Sequence, residues 1–341
     1  MLDERKSKIL RAIVREYIET AQPVGSSHVA ADAALRVSPA TIRNEMAVLE
    51  QEGYLRQPYT SAGRVPTDKA YRVYVDQITQ PGALDDVRSQ QVREFFASAH
   101  GALERMLQHT TGLLTQLTSY TAVVTASTAE AKVRSVQMVA LSERELMVVA
   151  VLSNGTVENA TFERGADVSD VVVDGATALL ARHGSGSSLA DLADAPFAPG
   201  AEHGVDDPAV ALARRGLDAL KARAVHPDEH LYVGGTASVA SAFDAVDVVR
   251  NVLVTLEQEY VVVSLLRDML DRGVSVAIGS ELGVEQLAAC SVVVAPYVVE
   301  GEAVGTVGLL GPTRMNYPQA LAAVDVVSQR LGERLSDGDR Q

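Results

Sequence analysis

The sequence predicts a multidomain α+β protein: an N-terminal winged helix-turn-helix head on a mixed α/β body. Three observations predict it. The chain has 341 residues, more than one typical domain. Residues 1–80 read as helices interrupted by one short hairpin, and β-like runs begin only after residue 120, interleaved with helical stretches. Apolar residues make up 47% of the chain, enough for a core in each part.

The head is justified element by element. Ile9, Leu10, Ile13, Val14, Tyr17 and Ile18 recur at helical spacing among charges, which predicts a first helix over residues 3–20 rather than a secretory leader. Pro23 and Gly25 end it. Ser26 or Ser27 caps a second helix reaching about Ala34, and Ser38-Pro39 opens a third that stops at Gly53. "YLRQP" and "RVP" then pair around "YTSAG", with Gly63 permitting the turn, and Thr67 caps a fourth helix.

In the body, Val92, Phe96, Ala99, Leu103, Met106, Leu113 and Leu117 form a stripe with Thr110 as its polar member. It fits either a coiled-coil seam or a helix lying on its own sheet. Four β-like runs follow between residues 121 and 163, with Asn154-Gly155 as a hairpin signal. Helices are expected over 168–183, 207–224, 245–272 and 319–335. The alternation over 133–163 and 274–335 is that of a sheet packed by helices.

Charge is uneven. The net charge is −14, yet residues 1–80 hold 11 Lys and Arg against 10 Asp and Glu, and the remainder 19 against 34. A near-neutral head on an acidic body permits a local basic face that meets nucleic acid, while the body avoids nonspecific contact. Helices two and three have helix-turn-helix proportions. Ile42, Met46 and Leu49 share the packed face of helix three, which turns Thr41, Arg43 and Asn44 elsewhere, near its N-terminal end. Arg suits guanine O6/N7, Asn suits adenine N6/N7, and a Thr methyl meets a thymine methyl. Ser26, Ser27 and Ser38 sit at helix starts, where free N–H groups take phosphate. Arg56 and Arg64 on the hairpin arms, with Ser61 in its turn, complete a wing that reaches phosphates or the minor groove, and Arg64 has the further alternative of pinning the wing internally.

The runs "SPATIRNEMAVLEQEGYL", "SAGRVPTDKAYRVYVD" and "GPTRMNY", with "GSSHVA" and "IGSE" besides, resemble the bacterial HrcA heat-inducible transcription repressors along the whole chain. Ala70 and Leu282 depart from the family's pattern, which has glycine and asparagine there. The resemblance implies a winged-helix domain over 1–80, a GAF-like domain over 88–180 and 274–338, and an inserted dimerisation domain over 181–273. It also implies a homodimer on an inverted-repeat operator of double-stranded DNA upstream of chaperone operons, release on heat stress, and a chaperonin that helps keep the repressor active.

Little else reads as chemistry. "GSGSS" and "VGGTAS" lack the phosphate-loop ending and read as turns. His226 and His230 flank Asp228 and Glu229 four apart, but Pro227 favours a solvated turn over a metal pair. Cys290 opens an apolar strand, and Arg314 reads as a structural partner. With one cysteine there is no intramolecular disulfide, which fits a reducing interior. Residues 106–129, the longest stretch without Asp, Glu, Lys or Arg, are too rich in Ser and Thr to span a membrane. A cytoplasmic regulator without cofactor, metal or enzymatic activity is expected. A regulator sensing a small effector in the GAF-like domain is the alternative.

Overall fold

A computed structural model describes residues 2–338 apart from 33–34, 36, 60–61, 79–82, 99–102, 128–131, 143, 154–156, 166–167, 195–206, 224–228 and 244. The hairpin signal Asn154-Gly155, the wing residue Ser61 and His226 lie outside the described residues.

In the head, Asp3 caps α1 (Glu4–Thr20) by accepting from Lys6 N at 2.8 Å, and Ile9, Leu10, Ile13 and Val14 turn inward. The second helix, α2 (Ser26–Ala30), is shorter than the apolar pattern predicts and starts after Gly25, with no side chain capping it. α3 (Pro39–Gln51) begins at Pro39, whose fixed φ and missing N–H suit a first turn. The hairpin β1 (Leu55–Arg56) and β2 (Val65–Pro66) pairs Leu55 with Pro66 and Arg56 with Val65. Thr67 precedes α4 (Asp68–Asp76), but its hydroxyl donates to Gly53 O at 2.8 Å and Tyr54 O at 3.0 Å instead of capping.

Beyond the head come α5 (Asp86–Ser98), α6 (Leu103–Thr118) and β3 (Thr121–Ser127). The apolar stripe is thus shared by two helices. Leu107, Thr110, Leu113, Leu114 and Leu117 of α6 are buried on the molecule's own sheet, so the second reading of the stripe holds. Next are β4 (Val133–Ala140), β5 (Glu145–Leu152), β6 (Val157–Glu163), α7 (Asp170–Gly184), α8 (Leu189–Asp194) and α9 (Pro208–Arg223). The chain closes with β7 (Glu229–Gly234), α10 (Thr236–Ala242), α11 (Val246–Glu257), α12 (Glu259–Asp271), β8 (Val276–Ile278), β9 (Cys290–Val299), β10 (Glu302–Pro312) and α13 (Tyr317–Gly338).

An antiparallel sheet runs in the order β7-β3-β10-β9-β8. Its strands are apolar on both sides because helices cover both faces. Ala122, Val124, Val293 and Tyr297 point to the side of α6 and α13, while Val123, Val292 and Val294 point to that of α11 and α12. The first of these cores continues without a break into the head through Ala70, Tyr71 and Val75.

A second antiparallel sheet, β4-β5-β6, has its own core. Val136, Val148, Leu152, Leu180 and Leu212 pack under α7 and α9, while Val139 and Val157 stay exposed on the opposite face. This corrects the expected partition. Residues 133–180 belong with α8 and α9 in the inserted unit, and residues 229–273 belong with the five-stranded sheet. Both segments alternate with period two, and alternation does not say which sheet a strand joins. His230 of β7 stands 3.6 Å from Glu158 of β6, and Lys132 stands 3.4 Å from Glu302, so two charge pairs bridge the units.

Candidate nucleic-acid interface

The recognition helix is held from below and open above. Ile42, Met46 and Leu49 are buried, and each such side chain stabilises by about 1.5–3 kcal/mol. Arg43, Asn44 and Ala47 are exposed on the opposite face. Ser38 Oγ accepts from Thr41 N at 3.2 Å and lies 2.9 Å from Thr41 Oγ1, so these two hydroxyls close the cap on each other. Ser27 is exposed and Ser26 half-buried at the start of α2.

Charges below the helix fix its orientation. Arg5 of α1 pairs with the buried Glu45, Lys6 reaches Glu52 at 3.2 Å, and Arg15 reaches Asp32 at 2.6 Å. These cations are consumed within the head. Arg43 and Arg56 differ: both are exposed, and neither has an ion-pair partner among the described residues.

The wing is a compact device. Gln57 Nε2 donates to Ala62 O at 3.0 Å, and Ala62 N donates to Tyr59 O at 2.9 Å, closing the hairpin. Tyr59 projects at its tip, 63% exposed. A bridge between Val24 and Arg64, with N–H···O distances of 2.8 and 2.9 Å, adds the segment between α1 and α2 as a third strand one residue wide. Gly63 has no left-handed φ, so it does not serve the turn. A Cβ there would overlap the Val24 carbonyl, and glycine is required for that close approach.

Of the readings open for Arg64, the structure favours the internal one. Its guanidinium pairs with Glu50 of α3 at 2.8 Å, its Nε is buried without a hydrogen-bond partner, and the side chain is mostly covered. It pins the wing to the recognition helix and does not face outward. Thr41, Arg43, Asn44 and Arg56 thus lie on exposed or half-exposed parts of the head, while the Arg64 side chain is mostly covered. Sequence reasoning passed over Ala47 and Tyr59. The spacing of Ala47, three and four residues past Asn44 and Arg43, carries the signal for the first, and the lone aromatic of the wing turn for the second.

The described residues of the body form no comparable cluster of exposed cations beside a helix start. The core beneath α11 and α12 encloses about 10 Å³, lined by Val123, Leu256, Leu266 and Val292 among others, which is room for one water. A more open groove of about 380 Å³ lies where α4 meets residues 273–276 and Leu321. Burial pushes the Cys290 thiol up to about 12, so it stays protonated and inert. Arg314 donates to Ala242 O at 3.1 Å, a structural bond. The run 184–188 returns the chain onto β4, where Gly186 N donates to Val133 O at 2.9 Å. No group of three or more His, Cys, Asp and Glu gathers among the described residues, and no described helix is long and apolar enough to cross a membrane.

A helix-turn-helix braced by a hairpin wing, with Arg43 and Arg56 exposed, defines a winged-helix transcription regulator on an α/β body. A profile of the HrcA protein C-terminal domain matches residues 104–321. The heat-inducible transcription repressor HrcA of Nocardia farcinica is 38% identical over 98% of this chain and 97% of its own length. That of Pelotomaculum thermopropionicum is 35% identical over the same shares. The crystal structure of a hypothetical protein shares the fold, at a TM-score of 0.66 and 24% identity over 99% of both chains. The chain belongs to the HrcA family of transcription repressors, and is a regulator rather than an enzyme.

Proposed function

We propose that this repressor works in the cytoplasm as a homodimer on an inverted-repeat operator, each α3 entering a major groove and each wing lying beside it. The exposed pair Arg43 and Asn44 near the start of α3, together with the exposed Arg56 of the wing, carries the reading. Arg43 reads guanine, Asn44 reads adenine and the Ala47 methyl meets a thymine methyl, while Arg56 and the helix starts at Ser27 and Ser38 hold phosphates. Two-fold symmetry places the half-sites roughly 34 Å apart or a multiple of that.

Dimerisation through the inserted unit is supported by the outer face of its sheet, where Val139 and Val157 are exposed and no described helix covers them. Sedimentation equilibrium showing a monomer at micromolar concentration would count against it. Release on warming follows the relatives' name, heat-inducible transcription repressor, while regulation of chaperone operons and support by a chaperonin follow the resemblance of the motifs alone. The core beneath α11 and α12, enclosing about 10 Å³, has no room there for an effector larger than water.

The deciding experiment is a footprint on the organism's own chaperonin promoter, repeated after heating with and without chaperonin. Protection of two symmetric half-sites, lost on heating, is the expected result. Absence of protection, or protection indifferent to heat in both arms, would overturn the corresponding part of the reading.

A further inference from the structure

The "IGSE" turn, residues 278–281, is not among the proposed DNA-reading residues, yet the head is built onto it. Arg72 of α4 donates from Nε to Glu281 Oε1 at 2.9 Å, and its Nη2 reaches both the other Glu281 oxygen and Val276 O, the latter at 2.7 Å. Glu281 Oε2 accepts in turn from Ile278 N at 2.9 Å. β8 is the end strand of the sheet. Ser275 O accepts from Val294 N at 2.8 Å, so by strand alternation Val276 and Ile278 aim their backbone groups away from β9. A guanidinium from the head and a carboxylate from the body therefore stand where a next strand would, and each satisfies one outward group.

Neighbouring contacts fix the same approach. Gly279 has φ +55°, and a Cβ there would overlap the Asp68 carboxylate of α4. Ser280 N lies 3.4 Å from Asp68 Oδ2. The Tyr71 and Tyr317 rings meet at 6.0 Å with a 49° tilt. The Arg–carboxylate fork is directional, holding two planes in register as well as attracting.

We propose that Arg72 and Glu281 are positioning residues for operator recognition. They lock each head at one orientation on its body and thereby set the half-site spacing that the dimer accepts. The inference rests on the dimeric, inverted-repeat reading above. The pair is partly exposed, so its contribution to stability is small. Its effect lies in orientation.

The test uses the full chain and fluorescence anisotropy with duplexes whose two half-sites are separated by spacers varied one base pair at a time, plus a duplex carrying one half-site. Wild-type protein should prefer one spacer. Arg72→Gln and Glu281→Gln should each lower the ratio of best to worst spacer by at least about five-fold, with single-half-site affinity unchanged. The double variant should be no flatter than either single, as expected of one coupled pair. Arg72→Lys, which keeps the charge and loses the fork, should fall between. Variants that keep the wild-type spacer profile overturn the inference, as do variants that lose half-site affinity in proportion to operator affinity. A flat profile in the wild type overturns the inverted-repeat reading itself, and the positioning role with it.

Discussion

Replacing Arg43 with alanine separates reading from gripping. Arg43→Ala should cost ~1–3 kcal/mol at one base position per half-site and relax preference there, measured by gel shift over half-site variants. Arg56→Ala should weaken all sequences alike and reduce the salt slope by about one, read from the same assay across a salt series. Arg64→Ala should leave that slope as in the wild type and instead cost roughly 1 kcal/mol of head stability in chemical denaturation. A lowered slope for Arg64→Ala would restore it to the DNA face. The sequence made the open face of α3 legible, because Ile42, Met46 and Leu49 at steps of four and three name the face that is packed. It left Arg64 ambiguous for a physical reason. An arginine on a hairpin looks the same whether its partner is a phosphate or Glu50, and the latter lies fourteen residues away on another element.

Among the elements, the wing depends on a contact that its own turn does not reveal. Gly63→Ala must push the hairpin off the Val24 carbonyl, which breaks the bridge between Val24 and Arg64 and strains the Arg64–Glu50 pair. Lower thermal stability and weaker binding to every operator variant are expected, with base preference kept because α3 is untouched. Loss of base preference instead would show that the wing holds α3 in place. Starts and stops of helices were largely readable, since Asp3, Ser38-Pro39 and Pro23 act locally. Strand partnership was not. β4 to β6 and β7 to β10 carry similar apolar alternation, and only the closing of each sheet on its own helices shows that residues 133–223 form one unit and 229–273 part of another. The one-residue strand at Val24, between Pro23 and Gly25, was hidden by the very residues that end α1.

The whole molecule is a set of units tied by charge pairs and one continuous core. Between the inserted unit and the sheet, the Glu158 carboxylate 3.6 Å away outweighs partial desolvation and raises the pKa of His230. A raised folded value means this tie is fully present below the ordinary histidine value of about 6.5 and is lost as pH climbs past the raised one. His230→Gln should remove that part of the pH dependence of melting, followed by calorimetry across neutral pH. An unchanged profile would show that the pair contributes nothing. At the other junction, the latch between Arg72 and the outer edge of β8 bears on modular exchange. A chimera splicing a foreign head onto this body after Ile78 would leave the Val276 carbonyl and the Glu281 carboxylate without their guanidinium, and Tyr317 without its ring neighbour. The transplantable piece must bring its own counterparts of Asp68, Tyr71 and Arg72, so heads and bodies in this family are exchangeable as matched surfaces and not as beads on a string.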